Sequence, residues 1–140
     1  MGDVKSIEEL LLLHEGERFR PYLDTVGVLT IGIGRNLNVG ISKQESRFLF
    51  SNDLARAEAF IDRKWTWAAD LDPVRRAVLV DMAFNLGGRL GQFKRTLRSL
   101  KQGKYADAAV QMLDSLWADQ VGSRALRLAE MCRSGNWPSE

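Results

Sequence analysis

The sequence predicts an α+β fold, with a small N-terminal sheet lobe and a larger helical lobe joined by a long helix. Three observations carry that expectation. Ser6-Ile-Glu-Glu9 and Ser42-Lys-Gln-Glu45 are capping boxes, in which serine and glutamate each satisfy a backbone donor left orphaned at a helix start. Between them, Val28-Leu-Thr-Ile-Gly-Ile33 is β-branched and hydrophobic and follows a run of turn residues. Beyond them, Asp72-Pro73 opens a stretch, Val74 to Leu86, that is apolar on nearly every side.

Each element follows in chain order. Ile7, Leu10, Leu11 and His14 fall at helical spacing, and Gly16 can end the helix in a left-handed cap, so a first helix covers about 7–15. Phe19 to Tyr22 reads as extended, since Pro21 discourages helix. Asp24-Thr-Val-Gly27 has turn chemistry, and with the strand after it makes a small antiparallel hairpin or meander. Asn36 to Gly40 reads as a polar loop. The second capping box opens a helix over about 43–64, carrying Phe48, Leu49, Ala55, Ala59 and Phe60, long enough to join two lobes. Trp65 to Leu71 is a break. The apolar stretch is a buried central helix ended by Gly87-Gly88. Helices over about 93–101, 105–117 and 123–133 follow, punctuated by Gly103, Gly122 and Gly135. The expected organisation is a single domain, 1–140. Its small lobe covers about 16–50, its helical lobe about 1–15 and 65–140, and the connecting helix about 43–64.

Composition narrows the function classes. The chain has 140 residues, 27% charged and 45% hydrophobic, which suits a globular protein. Lys and Arg number 20 against 18 Asp and Glu, a net charge of +2 with no clustered basic stripe. That argues against a nucleic-acid partner and is compatible with anionic cell-wall polymers. Cys132 is the single cysteine, so no intramolecular disulfide forms, which suits folding in a reducing cytosol. No run approaches the roughly 20 apolar residues that cross a bilayer. Leu10-Leu11-Leu12-Leu13 is too short for the core of a signal peptide. The expectation is a cytoplasmically made chain with no signal peptide and no stable membrane insertion.

Several chemical signals fall away. Gly32-Ile-Gly34-Arg-Asn-Leu37 lacks the third glycine of a dinucleotide loop and has no βαβ unit around it. His14-Glu15 resembles the start of a zinc-protease motif, but His14 is the single histidine. A histidine-based metal site or a Ser-His-Asp triad would rest on that one residue. His14 reads instead as a partly buried helix residue.

Carboxylates remain. Glu15 ends the first helix, where the negative end of the helix dipole disfavours another negative charge. Leu12, Leu13 and Phe19 are near enough in sequence to desolvate it, and both effects push a carboxyl toward the pKa of a general acid. Asp24, at the hairpin turn, is better solvated and stays ionised. Two carboxyls with split pKa values suit glycoside hydrolysis. A surface glutamate and a turn aspartate would leave the same trace in the sequence.

The spacing of these residues carries a resemblance. Eight residues separate Glu15 from Asp24, and five separate Asp24 from Thr30. Around them stand His14-Glu-Gly16, Tyr22-Leu-Asp-Thr25, Gly27 and Thr30-Ile-Gly-Ile-Gly34. Later come Asp72-Pro-Val-Arg-Arg-Ala77, Phe84-Asn-Leu-Gly87, Phe93, Leu97, Ala108-Ala109, Trp117, Arg124 and Gly135-Asn-Trp137. In this spacing and order the chain resembles the phage-type lysozymes, including those of the T-even phages, over nearly its whole length. The segment between Gly34 and Ser42 looks shorter than in the T-even enzyme. Arg35 stands where the family often has histidine.

The resemblance implies a lysozyme-like fold and hydrolysis of the β-1,4 bond between N-acetylmuramic acid and N-acetylglucosamine. Glu15 would be the acid, with Asp24 and Thr30 positioning water. Lysozyme is itself the type case of such a carboxyl pairing. Inversion at the sugar is implied too, which needs carboxyl groups roughly 6.5–9.5 Å apart. By position, Asn36, Phe84, Thr96 and Gln111 look like substrate contacts, although Phe84 on an apolar helix also fits a core role. Trp117, Trp137 and Arg124 are assigned to aromatic packing and helix-end pairing. Alignment with the family predicts an ion pair from Arg35 to Asp53. The implied protein is a monomeric, bacteriolytic endolysin that binds peptidoglycan glycan strands, needs no cofactor or metal, and acts in the periplasm after release through the inner membrane. A lytic transglycosylase would not need Asp24 and Thr30. A wall-binding module without activity would be expected to have lost Glu15.

Overall fold

The structure is a computed structural model that describes residues 3–139. It forms two compact units, one ending at Phe48 and the other starting at Leu49. The fold is α+β, as the sequence predicts.

The first unit opens with α1 (Ile7–Glu15). Ser6 caps it by accepting the Glu9 amide on its hydroxyl, and Gly16 closes it at φ 68° with its N–H on the Leu12 carbonyl. A three-stranded antiparallel meander follows: β1 (Arg18–Leu23), β2 (Leu29–Gly32) and β3 (Arg35–Asn36). Pro21 has no N–H to give a ladder, and the β1–β2 register shifts between Arg18 and Tyr22. β3 corrects the polar loop expected over 36–40. Gly34 turns the chain at φ +69°, so that Arg35 pairs with Ile31 and Asn36 with Thr30. Asn36 then accepts the Asn38 amide at 2.8 Å and caps a short 3₁₀ turn, Leu37–Val39.

α2 (Lys43–Lys64) has the predicted bounds. Its capping box is complete: Ser42 accepts the Glu45 amide at 3.1 Å, and Glu45 accepts the Ser42 amide at 3.0 Å. The predicted Arg35–Asp53 pair is not formed. Arg35 pairs with Glu45 at 2.6 Å, and Asp53 with Arg56 at 2.6 Å. The reason is reach. Glu45 sits in the first turn of α2, whereas Asp53 lies about 12 Å further along the axis and has its own arginine one turn away.

The second unit is helical. A 3₁₀ turn, Thr66–Asp70, fills the predicted break. Asp72 accepts the Arg75 amide and caps α3 (Pro73–Leu86). Val78, Leu79 and Met82 of α3 are fully buried, with Ile61 of α2. After a 3₁₀ turn, Gly87–Gln92, come α4 (Lys94–Lys101), α5 (Tyr105–Leu113), α6 (Leu116–Val121) and α7 (Ser123–Ser134). The single helix expected over 105–117 is therefore two. Ser115 divides them: its hydroxyl accepts the Ala118 amide at 3.1 Å and donates to the Met112 carbonyl at 2.7 Å. A serine that satisfies backbone groups locally favours a new helix start over continuation.

α5 packs on α4 and α7, and α7 on α3. Arg75 ties α3 to the end of α7. Its Nε donates to the Cys132 carbonyl at 2.8 Å and Nη2 to the Arg133 carbonyl at 3.0 Å, while its guanidinium lies 3.9 Å from the centre of the Tyr105 ring. A cation on the last carbonyls of a helix also meets the negative end of its dipole. Arg124 pairs with Asp81 at 2.8 Å, and Trp117 packs edge-on against Phe93, as their assignment to structure predicts. Trp137 does not follow it and is 61% exposed.

The capping box gives the fold a pH signature. Glu45 is held below the ordinary carboxyl range by the Ser42 amide first and the Ser42 hydroxyl second, with burial opposing them and Arg35 adding a smaller pull in the same downward direction. A depressed folded pKa stabilises above the unfolded value, roughly pH 4.3, and that contribution is lost as pH falls through the folded value. Glu45→Ala is expected to lower the Tm at pH 7, with the gap to the parent narrowing below about pH 4. Parallel thermal melts from pH 3 to 7 check it, and a pH-independent gap would reject the account.

Candidate active site

Glu15 is placed by a helix end and a turn. α1 stops at Glu15 because Gly16 takes the left-handed cap, which leaves the side chain exposed beside the β2–β3 turn. The turn receives it at Gly34. A Cβ at that position would lie 2.6 Å from Glu15 Oε2, 2.8 Å from Cδ and 3.0 Å from Cγ. In this conformation the carboxyl rests directly on backbone, in space that a side chain at position 34 would take. The apolar cover expected from Leu12, Leu13 and Phe19 is absent, since all three are exposed. His14, expected to be partly buried, is exposed as well.

Asp24 and Thr30 are organised around one residue, Val28. Asp24 is half-buried, and its Oδ1 accepts two backbone amides, from Val26 at 2.9 Å and Val28 at 2.8 Å. The Asp24 amide donates back to the Val28 carbonyl at 2.9 Å. That same carbonyl accepts the Thr30 hydroxyl at 2.8 Å. The turn chemistry expected of an aspartate here is therefore present, and it occupies one carboxylate oxygen. Oδ2 makes no hydrogen bond to another described residue. Thr30 is 4% exposed, and its hydroxyl proton is committed to Val28, so only its oxygen lone pairs remain to accept. Asn36 lies across the ladder from Thr30.

The second unit holds the other residues singled out from sequence. Thr96 of α4 and Gln111 of α5 line one open pocket of about 390 Å³, with Phe93 and Trp117 among its walls. Trp117 is fixed there by donating Nε1 to Asn85 Oδ1 at 2.8 Å. Phe84 does not join them. It is 45% exposed on α3, its ring 6.0 Å from that of Phe50, beside an apolar groove of about 600 Å³. Its core reading is thereby corrected. Sequence reasoning missed Arg89, Lys94 and Arg95 among the lining of the Thr96 pocket, because single cations in a mixed surface give no pattern. It also missed the contact of Gly34 with Glu15, although the glycine stood in the quoted motif.

Comparison with known proteins assigns the chain to a family. Residues 13–131 match the phage lysozyme family. The chain belongs to the phage lysozyme family. It is 29% and 28% identical to probable T4-type lysozymes 1 and 2 of Dictyostelium discoideum, over 94% of this chain and 96% of each relative. It is 30% identical to the pre-baseplate central spike protein Gp5 of Enterobacteria phage T4, over 96% of this chain and 28% of that protein. The alignments to the Dictyostelium lysozymes span 163 positions, more than the 140 residues of this chain. Those relatives therefore carry insertions that this chain lacks. Membership implies a lysozyme-like glycoside hydrolase with peptidoglycan as its substrate.

Gly34 gives a direct test of the geometry. In Gly34→Ala the new methyl meets the Glu15 carboxyl, and the positive φ adds strain. Misplacement of a reacting group by about 1 Å can cost 10²-fold. Gly34→Ala is expected to lose at least tenfold in peptidoglycan cleavage while keeping the circular dichroism of the parent. Full activity would show that the contact is not needed.

Proposed function

We propose that this chain is a muramidase that hydrolyses the β-1,4 bond between N-acetylmuramic acid and N-acetylglucosamine, with Glu15 as general acid and Asp24 and Thr30 positioning water. The observation that carries the proposal is the seating of the Glu15 carboxyl on Gly34, in the same unit as an aspartate with one oxygen anchored and the other unengaged. In its protonated form Glu15 gives its proton to the leaving glycosidic oxygen. Asp24 is held in place by the Val26 and Val28 amides on its Oδ1. Water donates one hydrogen to the Asp24 carboxylate and the other to the Thr30 oxygen, which leaves a lone pair for the anomeric carbon. As the sugar develops oxocarbenium character, Asp24 takes the water proton. Asn36, Phe84, Thr96 and Gln111 contact the glycan strand.

The biological role we propose is that of a monomeric, bacteriolytic endolysin, made in the host cytoplasm and acting on the wall in the periplasm after release through the inner membrane. Its partner is the peptidoglycan strand rather than nucleic acid, and the reaction needs no cofactor. Among the described residues no helix is long and apolar enough to cross a membrane. Clearing of permeabilised Gram-negative cells tests the lytic role. Mass spectrometry of digested peptidoglycan tests the chemistry: reducing muramic ends are the hydrolase product, and anhydromuramic ends would mean a transglycosylase.

Two substitutions assign the roles. Glu15→Gln keeps the shape and removes the proton, and general acid catalysis is worth about 10²–10⁴-fold. Release of reducing ends is expected to fall at least a hundredfold, and retention of a tenth of the parent rate would reject the assignment. Asp24→Asn preserves an oxygen for Val26 and Val28 but removes the charge. A strong yet smaller loss is expected, with partial return in Asp24→Glu. Unchanged turnover of purified peptidoglycan by Asp24→Ala would reduce Asp24 to a turn residue.

A further inference from the structure

The net charge of +2 conceals an uneven distribution. Residues 89–104 hold six cations, Arg89, Lys94, Arg95, Arg98, Lys101 and Lys104, and no acidic residue. The remainder of the chain therefore carries −4, which is +2 less those six. This segment corrects the reading of a chain without a clustered basic stripe. The fold turns the cluster into a face. Thr96, Leu97, Ser99 and Leu100 of α4 are buried, with the Ser99 hydroxyl bonded to the Gln111 side chain of α5 at 2.9 Å. All six cations are left exposed. Lys94, Arg98 and Lys101 recur at helical spacing along one side of α4, within about 10 Å of its axis. Arg95 approaches Asp114 at 3.5 Å, and the other five form no ion pair among the described residues. By contrast, Arg35, Arg56, Arg76, Arg124 and Arg133 each hold a carboxylate.

The next segment supplies exposed apolar side chains. Val110 and Leu113 of α5 and Leu116 of α6 are 68%, 40% and 72% exposed. Leu116 lines the same pocket as Arg89, Lys94 and Arg95, so aliphatic and cationic groups adjoin.

We propose that this face docks on the surface of an anionic phospholipid bilayer, with the cations on the lipid phosphates and the aliphatic side chains in the interface. Charge complementarity selects an anionic partner. The separation of a cationic face from a net acidic remainder orients the approach, since the remainder is repelled by the surface that attracts the face. The adjoining aliphatic groups favour a bilayer over a nucleic acid, whose phosphate backbone offers them nothing to enter. The contact is peripheral, as no described helix is long and apolar enough to cross a membrane. It is independent of the muramidase reading, because a bilayer contains no glycan.

The test is co-sedimentation of the full-length protein with vesicles. Vesicles of phosphatidylethanolamine and phosphatidylglycerol are compared with vesicles of phosphatidylcholine alone. The parent is expected to bind the anionic vesicles at low salt, to lose that binding as added salt screens the charges, and to ignore the zwitterionic ones. Arg98→Gln with Lys101→Gln and Lys104→Gln removes three cations from the face. At about fivefold per cation, partition should fall on the order of a hundredfold. Lys43→Gln with Arg47→Gln and Lys64→Gln lowers the net charge equally from exposed positions on α2 and should keep most of the binding. Val110→Ser with Leu116→Ser should weaken vesicle binding about threefold or more, by the apolar area withheld from the interface, and leave binding to duplex DNA unchanged.

Failure of the parent to bind anionic vesicles would overturn the proposal. An equal loss in the α2 variant would do the same, since net charge and not this face would be the cause. Tighter binding to duplex DNA than to vesicles at one ionic strength, or vesicle binding indifferent to the serine pair, would reject the bilayer as the occupant. If the triple face variant loses the circular dichroism of the parent, Lys101→Gln with Lys104→Gln decides. A loss of about 25-fold supports the proposal and undiminished binding rejects it.

Discussion

The missing side chain at position 34 is the constraint on which the first unit depends. One glycine does three things there. Its positive φ folds β3 back along β2, which sets Asn36 opposite Thr30 and aims Arg35 at the start of α2. Its bare Cα leaves room for the Glu15 carboxyl. Because the turn is built from backbone, the carboxyl rests on a surface whose shape does not depend on any rotamer. The turn that meets the Glu15 carboxyl is therefore shaped by covalent geometry and ladder pairing more than by side-chain packing, in a unit whose side chains are mostly exposed.

The second unit uses the same device for a structural end. Gly135 closes α7 in the left-handed region, and a Cβ there would lie 2.6 Å from Arg75 Nη1. The space admits a guanidinium that satisfies the final carbonyls of α7 from a residue in the first turn of α3. Two helices distant in sequence are joined by a charged group meeting backbone partners, with a tyrosine ring beneath it. Around this joint the apolar interior of α3, α5 and α7 closes. The Trp117 pocket then inherits firm walls, since Trp117 is held on one side by Phe93 and on the other by Asn85.

What the sequence reveals and conceals follows from range. The bounds of α1, α2 and α3 are legible because their signals lie within three residues of each start, and the Ser6, Ser42 and Asp72 side chains do accept the amides their positions imply. The meander is legible from β-branching and turn residues, but its third strand is not, since two residues carry no period. Ser115 shows how one hydroxyl outweighs a continuous apolar pattern. Partners across space are less accessible. Arg35 chose Glu45 over Asp53, and Trp137 and His14 are exposed where packing was expected, because spacing along a chain does not report which surfaces meet. The candidate site shows the same division. Glu15, Asp24 and Thr30 stand out as a spacing, while Val28 as the shared anchor of Asp24 and Thr30, Gly34 beside the Glu15 carboxyl and Ser99 behind Gln111 emerge only from coordinates.

The buried thiol of Cys132 has a practical consequence. Its pKa is pushed up to about 11 by burial, and its sulfur lies 3.6 Å from the Tyr105 carbonyl, so at neutral pH it is a protonated thiol sealed in the interior. Thiolate is the reactive species, and a sealed thiol is modified only when its surroundings open. As the single cysteine of the chain, it is an intrinsic clock for the helical unit. The rate at which a thiol reagent labels the native protein reports how often α7 lifts away from its neighbours, with no engineered residue needed.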